Sequence, residues 1–138
     1  MNRGGHALKT RSAAAVVGTI AISAATIVAS PGSAFAAPDP PDNAWDHVYS
    51  AEGVVVYVEE HGDIISVCDA KANGYGAAVS VNDYPDKAYD ATVTAGFGSC
   101  TTHRASQGGN YDLNEGDTIW LVFHGGGVAK SAHYLNDH

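Results

Sequence analysis

The sequence predicts an all-β fold, a small antiparallel two-sheet β-sandwich, immunoglobulin-like in general architecture but not a true immunoglobulin domain. Three observations predict it. After residue 50, short runs rich in Val, Ile, Tyr and Thr alternate with turns bearing Gly, Asn and Asp. No segment sustains the apolar period of a helix. Two cysteines, Cys68 and Cys100, fall among these runs and fit a scaffold closed by one bridge. The immunoglobulin marks are missing: no Trp lies between the cysteines, and Gly98 stands where a tyrosine corner needs Tyr.

The chain opens with a segment of another kind. Arg3, Lys9 and Arg11 give a positive start, and residues 12–30 are uncharged, small and apolar. Pro31 and Gly32 follow, then Ala34-Phe35-Ala36, the small-x-small pattern read by signal peptidase. Residues 1–36 are therefore expected to be a signal peptide, with the secreted protein starting at Ala37. A membrane anchor is the competing reading, because about 19 apolar residues nearly span a bilayer. The Ala/Ser/Thr/Gly dilution and the adjoining cleavage pattern favour export.

Residues 37–50 read as a Pro-rich N-terminal arm, with prolines at 38, 40 and 41 and first docking points at Trp45, Val48 and Tyr49. Residues 51–138 read as a single β domain, about seven short strands in all. The expected strands are 53–59 (GVVVYVE), 64–68 (IISVC), 76–81 (GAAVSV), 89–95 (YDATVTA), a short one in 99–104, 118–124 (TIWLVFH) and 128–135. The alternation in 89–95 sets Tyr89, Ala91, Val93 and Ala95 on one face and Asp90, Thr92 and Thr94 on the other. Turns are expected at 60–63, at Asn73-Gly74, around Tyr84-Pro85-Asp86, at 114–117 and at the triple glycine 125–127.

Charge narrows the partners. The chain carries 7 Lys+Arg against 15 Asp+Glu, a net of −8. Removing residues 1–36 takes three of the bases and no acid, leaving four against 15, a net of −11. Such a surface repels phosphate backbones and anionic bilayers, so neither nucleic acid nor, after cleavage, a membrane is an expected partner. A Cys68–Cys100 bridge would close a loop of about 32 residues, worth roughly 3–4 kcal/mol in the chain-entropy account.

Several motifs invite a catalytic or metal reading. His124-Gly125-Gly126-Gly127 after an apolar strand resembles the oxyanion segment of α/β-hydrolase lipases and esterases. The nucleophile elbow of that family is missing, and the eleven residues that follow leave no room for its triad. A glycine-rich hairpin turn with a positive φ is the expectation, without a catalytic role. His124 and His133 flank that turn. With a three-residue loop His133 pairs with Ile119 and points away from His124. With a four-residue loop it pairs with Trp120, on the same face as His124 and roughly 13 Å along the sheet. Neither places both on one zinc. Asp69-x-Lys71-x-Asn73-Gly74 echoes the start of an EF-hand loop, but Lys71 occupies a ligand position and Ser80 stands where the closing acid belongs. It reads as an Asx-and-glycine turn. The pairs Glu59/Glu60, Asp83/Asp86 and Glu115/Asp117 sit at turns, where solvated charge is the default. No catalytic, cofactor-binding or metal residues are assigned. Trp45, Tyr49, Tyr75 and Tyr84 are the candidate aromatic binding surface.

With Ile64–Ala77 (IISVCDAKANGYGA) and Gly109–Ile119 (GNYDLNEGDTI), the chain resembles a group of small secreted actinomycete proteins. These combine a G-D-x-x-x-V-C-D-x-x-A-[DN]-G stretch, a later Cys and a Y-x-L-x-E-G turn. The resemblance implies a secreted β-domain and no assigned activity. It also implies a second cysteine pair near the last hairpin, which this chain lacks.

These readings converge on a secreted, non-enzymatic domain with a binding or cell-surface structural role. Its partner would be an extracellular protein or a cell-wall or carbohydrate component. An inhibitor of secreted hydrolases, or a secreted hydrolase using loop carboxylates, are the alternatives. An inhibitor needs a rigid protruding loop, an enzyme a cleft with paired acids, and a binding module a flat aromatic patch.

Overall fold

Alternation along the apolar runs decides which side chains meet. The computed structural model describes Pro40 and residues 44–138; the expected signal peptide and most of the Pro-rich stretch lie outside the described residues. Eight strands form: β1 (His47–Ala51), β2 (Val54–Glu59), β3 (Ile64–Asp69), β4 (Ala78–Asp83), β5 (Asp86–Thr92), β6 (Cys100–His103), β7 (Thr118–His124) and β8 (Lys130–Leu135). They make two four-stranded sheets: sheet A in the order β1-β2-β3-β6 and sheet B in the order β5-β4-β7-β8. Every pairing is antiparallel. The all-β two-sheet sandwich read from the sequence is the fold observed.

The core is the layer between the sheets. Sheet A contributes Val54, Val56, Val58, Ile65 and Val67; sheet B contributes Val79, Val81, Ile119, Leu121 and Phe123. Fully burying each such side chain is worth about 1.5–3 kcal/mol. β7 shows the pattern most cleanly, with Ile119, Leu121 and Phe123 buried and Thr118, Trp120, Val122 and His124 exposed. β2 does not alternate because both its faces are covered. Val55 and Tyr57, on its other side, pack with Cys68, Trp45, Ala70 and Cys100.

The sandwich is closed along its sides by contacts between edge strands. β1 faces β8: the Tyr49 hydroxyl donates to the His133 carbonyl at 3.1 Å, and Lys130 Nζ donates to the Ser50 carbonyl at 3.3 Å. β5 faces β6: the Thr101 hydroxyl donates to the Thr92 carbonyl at 3.1 Å, and Tyr89 meets His103 edge to face at 5.3 Å.

Four boundaries differ from expectation: β4, expected over 76–81, runs from Ala78 to Asp83, and three others follow. β1 falls inside the stretch assigned to the N-terminal arm, so the sheet begins before residue 51 and supplies the eighth strand. Its inward residues, His47 and Tyr49, are not aliphatic, which hides the alternation. β5 starts at Asp86, directly after Tyr84-Pro85, and ends at Thr92. The buried-exposed alternation still runs to Val93, whose N–H donates to the Ala77 carbonyl at 2.8 Å, while Ala95 is exposed. β8 starts at Lys130, leaving residues 125–129 between the strands. The four-residue register is the one adopted, pairing Trp120 with His133.

Candidate functional site

Sheet B buries one face and leaves the other open. Its outward positions are Ser80 and Asn82 on β4, Trp120, Val122 and His124 on β7, and Ser131, His133 and Leu135 on β8. Trp120 is 44% exposed, Val122 42% and Leu135 51%. The Trp120 and His133 rings lie side by side, centroids 4.6 Å apart. Across the other pairing, Asn82 faces Trp120 and Ser80 faces Val122. The Asn82 amide donates to the carbonyl oxygens of Trp120 at 3.3 Å and Ser80 at 3.4 Å, which fixes it beside the indole. Ser80 donates to Asp90 at 2.5 Å, and Lys87 pairs with the second oxygen of the same carboxylate. Hydrogen bonds from Lys87 and Ser80 hold the Asp90 carboxyl below its ordinary range. A shallow depression of about 280 Å³, lined by Ser80, Asp90, Thr92, Val122 and His124, adjoins this stripe. The result is an open sheet face on which an exposed indole adjoins hydroxyl- and amide-bearing side chains.

The four aromatic residues singled out from sequence do not meet. Tyr49 is on the inward side of β1, packed against the core near Phe123. Trp45 is half-buried on the far side of sheet A, its ring 5.3 Å from that of Tyr57. Tyr75 precedes β4 and packs against the position of Gly126, whereas Tyr84 follows β4 in the turn to β5. These two are 62% and 76% exposed but lie at opposite ends of a strand. Trp120 is not among the four, because a Trp within an apolar strand reads as core. Its phase against Ile119 and Leu121 is the signal that could have found it.

Cys68 and Cys100 are bonded, as expected. They are direct cross-strand partners, 4.0 Å apart between Cα atoms, nearer than the commonest disulfide spacing of about 5.5–6 Å. The Asp69 N–H next along donates to Ser99 at 2.9 Å, so the cysteines occupy a close, non-hydrogen-bonded pair. The triple glycine lies in the β7–β8 loop, and Gly126 has φ +102°. Gly125 lies against Gly53 of the β1–β2 turn so tightly that a Cβ on Gly125 would sit 2.3 Å from the Gly53 carbonyl carbon. The Asn73 amide donates to the Gly125 carbonyl at 2.7 Å. Asp69 and Asn73 accept from the N–H groups of Lys71 (3.1 Å) and Tyr75 (3.0 Å), the expected Asx turns. Of the acidic pairs, Asp83 accepts from both the backbone N–H (2.9 Å) and side-chain amide (2.8 Å) of Asn114, a structural use.

Two acidic groups are buried against expectation: Asp63, in the turn expected at 60–63, and Glu60, whose pair with Glu59 reads from the sequence as solvated charge. Asp63, in the turn before β3, is 2% exposed. It accepts from the Leu113 N–H at 2.8 Å and the Asn136 amide at 3.0 Å. Burial pushes its carboxyl above the ordinary value. The second group is at the end of β2. Glu60 is buried, and its Oε1 lies 2.6 Å from His47 Nε2. Its Oε2 lies 3.5 Å from His138 Nε2, which is itself 3.8 Å from Asp137 Oδ1. These residues come from β1, the β2–β3 turn and the stretch after β8, so no local spacing in the sequence announces them.

Among the described residues no helix is long and apolar enough to cross a membrane. Compared with known proteins, the chain matches no family model, no curated protein and no solved structure.

Proposed function

We propose that this chain is a secreted, non-enzymatic binding module whose contact surface is the outer face of sheet B, and whose partner is an uncharged polysaccharide at a cell surface. The observation that carries the reading is Trp120: a half-exposed indole on the open face of an inner strand, flanked by Asn82 and His133, with Ser80 and Ser131 flanking its neighbour Val122. A sugar ring presents C–H groups on its face and hydroxyls at its edge. An indole supplies the apolar platform and a rim of hydroxyls, amides and imidazole supplies the hydrogen bonds. The acidity of the chain favours a neutral glycan over a polyanion. The leader-like residues 1–36 and the disulfide support an extracellular setting. The resemblance to small secreted actinomycete proteins is compatible with such a role.

The test is co-sedimentation of the secreted protein with insoluble cell-wall polysaccharide, wild type against Trp120→Ala. Because the indole is half-exposed and outside the core, the variant should fold as the wild type does and lose most of the bound fraction, about tenfold or more in affinity if the platform contributes ~1.4 kcal/mol. Equal retention of both proteins would refute the assignment of this face.

A further inference from the structure

We propose that Glu60, Asp137 and His138, with His47 behind Glu60, form a binding site for a late first-row divalent cation of the zinc class. One ligand atom from each of Glu60, Asp137 and His138 falls within 4.8 Å of the others. The contacts of His138 Nε2 are 3.5 Å to Glu60 Oε2 and 3.8 Å to Asp137 Oδ1. Tetrahedral zinc with bonds of about 2.0–2.2 Å sets its ligand atoms about 3.3–3.6 Å apart. Those two contacts lie within a few tenths of an ångström of that spacing, and bringing all three ligand atoms onto one ion falls on the two residues that follow Asn136.

The donor set decides the class of ion. Both bases on Glu60 are histidines, and imidazole, unlike ammonium or guanidinium, has a lone pair to give a metal. One imidazole with two carboxylates suits zinc and its neighbours, whereas calcium and magnesium require oxygen throughout. Glu60 is held in place independently of any ion. Its backbone N–H donates to Asp46 at 2.8 Å, and its Oε1 is engaged by His47 at 2.6 Å. The His47 ring is itself stacked on Tyr49, 5.9 Å between centroids, and lies 5.4 Å from Tyr134. His47 is thus a positioning residue that turns Oε2 toward His138, the outer-shell role that tunes metal sites. A bound ion would tie the segment after β8 to the end of β2, across the side where β1 and β8 meet.

The experiment is calorimetric titration of ZnCl2 into the tag-free, EDTA-treated secreted protein, with CaCl2 and MgCl2 as comparison ions. One zinc should bind per chain, with calcium and magnesium far weaker. His138→Ala should weaken zinc at least tenfold, and Glu60→Gln should do the same. His47→Ala should weaken it about 10–100-fold by freeing Glu60, and His103→Ala, on the opposite side of the sandwich, should leave it unchanged. His138 is exposed and beyond the last strand, so its variant folds even if Glu60→Gln does not. No zinc binding, or binding that survives His138→Ala, would overturn the site and leave the cluster as an ion pair alone.

Discussion

Asp63 is the only non-glycine among the described residues with a positive φ, 51°, and its carboxylate is enclosed by groups from two other segments. A left-handed backbone favours Asn or Asp, so the turn and the latch need the same kind of residue. Asp63→Ala strips the acceptor from two N–H groups and should cost about 1–3 kcal/mol. The pH dependence separates charge from hydrogen bonding. A raised carboxyl binds its proton more tightly in the folded state than in the unfolded one. Its stabilising contribution is complete below the unfolded value and is lost as pH rises through the folded one. The amide introduced by Asp63→Asn has no proton to lose. That variant should therefore gain in stability relative to the wild type as pH rises from about 3 to about 7, as read from urea midpoints. A difference that stays constant over that range would show that burial does not raise this carboxyl. Gly126 is decided by its own geometry. At φ +102°, a Cβ there would lie 2.7 Å from the Tyr75 ring. Gly126→Val should lower stability by about 1 kcal/mol or more, whereas His124→Ala should change it by no more than about 0.5 kcal/mol. Thermal melts of the two variants compare them directly.

At the scale of elements, legibility follows from which face water touches. β7 is readable because one side is core and the other is open, so the apolar positions recur at every second residue. β2 is readable by its β-branched run, which also reflects cover on both faces. β1 is not, because its inward residues His47 and Tyr49 are amphipathic and its outward Val48 is 57% exposed. The disulfide staples β3 to β6, the edge of sheet A, where a four-residue strand gives few ladder bonds of its own. Replacing both cysteines by alanine should therefore destabilise the domain by about 2–5 kcal/mol, measured by chemical unfolding. Variants that unfold at the wild-type midpoint would mean the β3–β6 pairing is sufficient without the bond. The Gly53–Gly125 approach links sheet A to the last hairpin, and no local pattern foretells it because contacts between distant turns leave no period in the sequence.

At the scale of the whole molecule, two sheets leave two outer faces, and they differ. Trp45, Val55, Tyr57 and the disulfide pack together on sheet A, while sheet B presents Trp120, Val122, His133 and Leu135 outward. Trp45, Tyr49, Tyr75 and Tyr84, the candidate aromatic residues read from the sequence, lie apart: Tyr49 is on the inward side of β1, Trp45 is on the outer side of sheet A, and Tyr75 and Tyr84 are at opposite ends of β4. The proposed surface on sheet B is assembled from three adjacent strands. The most direct measurement is a two-dimensional NMR titration of the isotope-labelled protein, residues 37–138, with a soluble neutral oligosaccharide. Binding at the outer face of sheet B should shift the Trp120 indole signal and the amides of Ser80, Asn82, Val122 and His133 together, saturating with one dissociation constant and leaving β2 and β3 unmoved. Shifts confined to sheet A or to the Tyr84 turn, or none with any neutral glycan, would contradict it.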